Sequence, residues 1–263
     1  MRLSTILLLA LVLAHTASAQ QPVAEIRPGF LAGYLEAQAR PDSLLLVPPP
    51  PAPGTAEHAL DLAVAERQQA LRDTPRWQVA IADARLRFPE AAEAFSCALQ
   101  APIDEQRTPS LYRVLRRTLA DAGLATYGAK NRYARGRPFA VLKRVSCTPE
   151  DEAKLAVDGA YPSGHSAIGW TWALLLSQLA PERGDALMAR GRAFGESRLV
   201  CGVHWHSDVR AGREIGAATF ARLQADPLFR ADMRAAAGEM ARLRAEGVQP
   251  LRDCAGEVDA LAH

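Results

Sequence analysis

The chain has 263 residues, 49% of them hydrophobic and 23% charged, and a formal net charge of +2. That length supports one domain with a substantial core. The balance of 31 basic against 29 acidic residues gives no bulk electrostatic case for nucleic acid or an anionic lipid surface as a partner.

Residues 1–19 read as a secretory signal peptide. Arg2 supplies the positive start, Ile6 to Ala14 is an apolar run too short to span a bilayer, and Ala17-Ser18-Ala19 is a small-residue cleavage site. A single domain is expected over 20–263. In an exported chain, Cys97, Cys147, Cys201 and Cys254 are expected to form two disulfides, and no paired Cys/His spacing suggests structural zinc. Residues 20–54 read as irregular. Pro48 to Pro51 and Pro53 cannot be helix interior and are expected to lie extended across the domain surface.

From Thr55 the pattern turns helical. Thr55 caps a helix with Leu60, Val64 and Leu71 inward. Thr74-Pro75 starts the next, with Trp77, Ile81 and Ala84 on one face. Pro89 opens a short helix carrying Phe95 and Cys97. Thr108-Pro109 opens another, with Leu111, Leu115 and Leu119 four apart and Gly123 as its stop. Residues 127–160 show no clean period and read as loop. Ser166 to Ala180 is apolar almost all round, a buried helix too short to be a membrane span. Helices follow over Glu182 to Glu196 and Ser207 to Leu223, the latter with Gly212 and Gly216 allowing close approach of a neighbour. A last long helix starts at Asp226-Pro227 and ends near Gly247. The fold class is all-α: a single compact helical bundle whose loops feed one site.

Three stretches carry chemistry. Lys130 to Pro138 holds four cations, and in it Arg137 offers a planar fork and Lys130 a movable point charge to an anion. In Tyr161-Pro162-Ser163-Gly164-His165-Ser166, a glycine at a helix start lets the backbone approach an anion. Ser163 adds a hydroxyl there, and His165 stands where it can protonate a leaving oxygen. Ser197 to Asp208 contributes Arg198 and a His204–Asp208 pair at helical spacing, with His206 two residues further on.

Together, Lys130 with Arg137-Pro138, then Pro162-Ser163-Gly164-His165, then Ser197-Arg198 with His204 and Asp208 resemble the tripartite phosphatase signature of the type-2 phosphatidic acid phosphatase superfamily, which also includes vanadium haloperoxidases. The proline run, Arg72 to Trp77, the Thr108 to Gly123 helix and Ser207 to Arg213 are similar to bacterial class A nonspecific acid phosphatases. The resemblance implies a helical catalytic domain of that kind and a periplasmic hydrolase of small phosphate monoesters that forms a covalent phosphohistidine. It also implies possible transfer of the phosphoryl group to other alcohols. His204 is then the nucleophile, selected over His206 by the motif spacing; Asp208 orients it, and His165 is the general acid and then base. Lys130, Arg137, Ser163, Gly164 and Arg198 hold the phosphoryl oxygens. No metal or other cofactor is implied, nor a stable membrane association once the signal is removed; a homo-oligomer is. Haloperoxidases are usually much longer than this chain, and the lipid phosphatases have several spanning helices that it lacks. Cys201, inside the third motif, is expected to tie to Cys254, leaving Cys97 with Cys147.

Overall fold

The computed structural model describes residues 22–262; the signal peptide read over residues 1–19, and His263, lie outside them. Regular structure among the described residues is helical apart from a two-stranded antiparallel hairpin, β1 (Glu25–Arg27) and β2 (Phe30–Leu31). The chain beyond the hairpin is tied to the domain. Asp121 accepts from the amides of Tyr34 and Leu35, and Arg117 donates to the carbonyls of Ala32 and Gly33. A short helix α1 (Ser43–Leu46) leads into the proline run, where the Tyr161 hydroxyl donates to the Pro48 carbonyl.

Helix α2 (Ala56–Arg67) begins where Thr55 Oγ1 accepts the His58 amide, as the cap pattern predicts. It buries Val64 and Asp61, whereas Leu60, expected inward, is 45% exposed. The Asp61 carboxylate is taken up by Ser207 and Arg135, and turning it inward turns Leu60 out. Helix α3 (Pro75–Asp83) is capped by Thr74. The one short helix expected after Pro89 is two, α4 (Glu90–Glu93) and α5 (Ser96–Leu99). Helix α6 (Pro109–Ala125) runs past Gly123, the expected stop, with Leu111, Leu115 and Leu119 buried. The stretch read as loop holds α7 (Tyr127–Tyr133), α8 (Pro138–Val141) and α9 (Glu152–Ala156), each too short to display an amphipathic period.

Helix α10 (Gly164–Leu179) is the axis of the domain. It packs on α6, α11 (Gly184–Val200), α12 (His206–Leu223) and α13 (Pro227–Glu246), which explains why it is apolar all round. Trp172, Leu175 and Leu176 are wholly buried, and Trp172 Nε1 donates to the Leu115 carbonyl at 3.2 Å. Gly212 and Gly216 let α12 lie against the start of α10: a Cβ at Gly212 would collide with the Ser163 carbonyl, and one at Gly216 would come within 2.5 Å of the Ala167 carbonyl. This close packing sets two of the three chemical stretches side by side.

The cysteines pair differently from the expectation. Cys97 is joined to Cys254 and Cys147 to Cys201, with Cα separations of 5.4 and 4.6 Å, in place of Cys97–Cys147 and Cys201–Cys254. The terminal helix α14 (Ala255–Leu261) folds back onto α3, where Glu257 meets Arg190, and this carries Cys254 to Cys97. The loop after α8 lies along the end of α11, where the Cys147 amide donates to the Cys201 carbonyl. The sequence distances between cysteines held no trace of either approach.

Candidate active site

The third stretch sits where α11 gives way to α12. Asp208 is wholly buried in the first turn of α12. Its Oδ2 accepts the Trp205 amide at 2.7 Å and faces His204 Nδ1 at 3.3 Å. A helix start leaves such amides without internal partners. One carboxylate thus closes the helix and orients the imidazole. Across the ring, His204 Nε2 lies 3.1 Å from Arg137 Nη1. A guanidinium can only donate, so Nε2 accepts and Nδ1 carries its hydrogen toward Asp208. The ring is held as one neutral tautomer. Burial first, then the charges of Arg137, Lys130 and Arg198, keep its pKa well below the usual histidine value.

Behind Asp208 stand two residues that motif reading did not assign. Arg135 donates from Nη1 to Asp208 Oδ1 at 2.6 Å and from Nη2 to Asp61 Oδ2 at 2.7 Å. Asp61 also accepts from the amide and hydroxyl of Ser207. Burial pushes the Asp208 carboxyl up to about 6, and Arg135 is the largest influence holding it down. Arg135 was visible only as one cation among four. The usable signal for Asp61 was an acid three residues before Val64, on the inward face of a helix.

Lys130 and Arg137 are both buried, and they share a carboxylate. Asp158 Oδ2 lies 2.8 Å from Arg137 Nη2 and 3.6 Å from Lys130 Nζ. Arg137 Nε donates to the carbonyls of Leu155 and Asp158, and Lys130 Nζ to that of Gly159. Burial first, then Arg137, lowers the Lys130 pKa to about 8. The Arg137 fork, expected to face an anion directly, therefore already holds protein acceptors. Asp158, unassigned in the sequence reading, is an anion resting on both cations.

Ser163 is the N-cap of α10, its Oγ accepting the Ser166 amide at 3.3 Å. Its own amide donates to the Asp208 carbonyl at 2.9 Å, a bond that joins the second stretch to the third. Gly164 opens the helix, and a Cβ there would meet only Thr126 Oγ1 at 3.8 Å. His165 is partly buried, its ring parallel to within 25° of Phe194. Its Nε2 lies 3.0 Å from the Ala84 carbonyl and so carries a hydrogen, leaving Nδ1 as the atom available for proton transfer. Burial and then Arg198 hold the His165 pKa well below the usual range.

Arg198 is 2% exposed, and its Nε and Nη1 have no partner among the described residues. Burial, then Arg137, lowers its pKa to about 10. Two unpaired donors on a buried cation are costly unless an anion meets them. A cavity of about 380 Å³ opens against this guanidinium and against His165. The Arg137–His204 contact ties the first stretch to the third and the Ser163–Asp208 bond ties the second to the third, while His165 and Arg198 border the same cavity. His206 faces elsewhere, into a groove of about 360 Å³ beside the proline run. Among the described residues no group of three or more His, Cys, Asp or Glu could hold a metal ion, and no helix is long and apolar enough to cross a membrane.

The PAP2 superfamily pattern matches residues 114–227. The chain is 42% identical over 212 residues to the non-specific acid phosphatase of Providencia stuartii, covering 80% of this chain and 86% of that one. It is 42% identical over 189 residues to the non-specific acid phosphatase of Salmonella typhimurium, covering 72% and 76%. To the acid phosphatase of Zymomonas mobilis it is 36% identical over 209 residues, covering 80% and 79%.

Proposed function

The chain belongs to the class A non-specific acid phosphatases of the PAP2 superfamily, and on that premise we propose that it is an exported acid phosphatase working through a phosphohistidine on His204. It is a phosphoric monoester hydrolase. The observation that carries the mechanism is the tautomer of His204. A neutral imidazole, hydrogen-bonded at Nδ1 to a buried carboxylate, keeps its lone pair on Nε2 among three cations. That is the state a nucleophile needs for attack on a phosphoryl dianion.

In the first step Nε2 bonds to phosphorus while the bond from phosphorus to the leaving oxygen breaks. The leaving alkoxide takes the proton of His165. Water then attacks the phosphohistidine, giving a proton back to His165, and the P–N bond breaks to release phosphate. An alcohol in place of water would receive the phosphoryl group instead. Lys130, Arg137 and Arg198, with the Ser163 hydroxyl and the Gly164 amide, would neutralise and position the equatorial oxygens, which is most of what phosphoryl transfer demands. Packing against the protein does not explain a glycine at 164, since a Cβ would fit; close approach of a ligand oxygen to the amide does. Burial first, then the charge of Arg198, lowers the His165 pKa and favours its neutral form. A bound phosphate dianion reverses that field and allows His165 to be protonated as the acid.

The two disulfides fit an oxidising compartment, and with the signal-like start they support the periplasm as its place of work. The test is turnover of p-nitrophenyl phosphate with and without EDTA, coupled to trapping of the phosphoenzyme. Activity that survives the chelator and a phosphoryl group recovered on His204 are expected. Rapid loss in EDTA would sink the metal-free mechanism, and turnover without a phosphoenzyme would sink the covalent one.

A further inference from the structure

The cavity that ends at Arg198 and His165 is bordered at its outer part by Arg27, Arg85 and Arg87. Some arginines elsewhere are held by carboxylates, Arg113 by Asp232, Arg135 by Asp61 and Asp208, and Arg190 by Asp83 and Glu257. Among the described residues, Arg27, Arg85 and Arg87 have no carboxylate within the 4.0 Å of an ion pair. Three carboxylates, Glu90, Glu150 and Asp151, also border the cavity, against the cations Arg27, Arg85, Arg87, Lys154 and Arg198. The balance is positive.

A second observation is independent of charge counting. Phe30 is buried, and the Arg27 guanidinium lies 3.8 Å from its ring centroid and that of Arg87 5.7 Å. The β1–β2 hairpin brings Arg27 over Phe30 by turning at Gly29, whose φ of +83° suits glycine, and a Cβ there would lie 3.3 Å from Arg87 Nη1. Cation–π contact with one fixed ring orders two otherwise mobile guanidiniums, which lowers the entropy lost when they bind an anion.

We propose that Arg27, Arg85 and Arg87 form a second anion subsite that selects phosphate monoesters whose leaving group carries a further phosphate. The inference rests on the phosphatase reading: the reacting phosphate lies at Arg198 and His165, and the leaving group points along the cavity toward the arginines. The second phosphate is bound and not cleaved in that pose.

The test compares fructose 6-phosphate with fructose 1,6-bisphosphate, on the wild-type chain and on Arg85→Gln/Arg87→Gln. Both positions are exposed, so the fold does not depend on them. A kcat/KM advantage of about tenfold for the bisphosphate is expected, beyond the factor of about two for its two esters. It should lie mostly in KM, shrink as salt is raised, and largely disappear in the variant. Arg27→Gln should reduce it independently. Equal kcat/KM after the statistical correction, or a preference unchanged in both variants, overturns the subsite. Hydrolysis of p-nitrophenyl phosphate reports separately on the phosphatase reading. If that compound is not turned over, calorimetric affinity for the two sugar phosphates still decides the subsite: tighter binding of the bisphosphate, lost in the variants, supports it, and equal binding refutes it.

Discussion

Replacing Arg135 with methionine tests the support behind the nucleophile. The guanidinium bridges two buried carboxylates, Asp208 at 2.6 Å and Asp61 at 2.7 Å, neither with any side-chain exposure. Methionine keeps much of the bulk and removes both ion pairs. Breaking a buried pair from one side costs about 3–5 kcal/mol, because a charge is left without its partner. For a domain of this size that is a fall in Tm of roughly 10 °C. The pH signs follow from Asp208, whose carboxyl is already pushed up to about 6 by burial, with Arg135 the chief influence against it. Without Arg135 it rises further. Since the folded value lies above the unfolded one, the folded chain binds the extra proton in between, and the stability penalty grows as pH rises through that window. The deficit in Tm should therefore narrow at low pH. Activity moves the other way: a protonated Asp208 no longer draws the His204 Nδ1 hydrogen, so the acid limb of the kcat profile should shift upward. A small misplacement of the imidazole costs about 10²-fold in kcat. Thermal melts and kcat profiles across about pH 4 to 8 measure both. An unshifted acid limb with kcat within about threefold of wild type would refute the argument that Arg135 holds Asp208 ionised and His204 in place.

Further outcomes concern the nucleophile, the pH optimum, the two cations and the disulfides. His204→Ala should abolish the trapped phosphoenzyme and His206→Ala should leave it, since His206 faces the groove beside the proline run; the reverse result would reassign the nucleophile. The rate optimum should lie below neutrality. His204 stays neutral because its pKa is lowered, while His165 needs its proton and loses it as pH rises; a maximum well above pH 8 would count against these roles. Asp158→Asn removes the carboxylate resting on Lys130 and Arg137, so inorganic phosphate should inhibit about tenfold more tightly by competition; unchanged inhibition would mean Asp158 only positions the two cations. A non-reducing peptide map should return Cys97–Cys254 and Cys147–Cys201. Cys147→Ala/Cys201→Ala, opening a link across 54 residues, should cost about 4 kcal/mol in a denaturant titration.

Short-range chemistry made much of this chain legible from its residues. Caps at Thr55, Thr74 and Asp226 set helix starts because a side-chain oxygen meets an amide two or three residues on. The apolar run after His165 had to be a buried central helix, since no face of it suits water. Gly212 and Gly216 announced a close helix contact. The spacing of Lys130, Arg137, Ser163, Gly164, His165, Arg198, His204 and Asp208 pointed to a phosphatase, because each of the three stretches is a short local arrangement. Relations between distant segments came from packing alone. The cysteine partners depend on α14 folding back over α3 and on the loop after α8 lying along α11. Leu60 faces out because Asp61 must face in, toward Ser207 and Arg135. Arg135, Asp158 and the Ala84 carbonyl support the site through contacts 21 to 81 positions apart in the chain, separations no local period encodes. In the same way Arg27 and Arg87 share one phenylalanine only after the hairpin has folded against the domain.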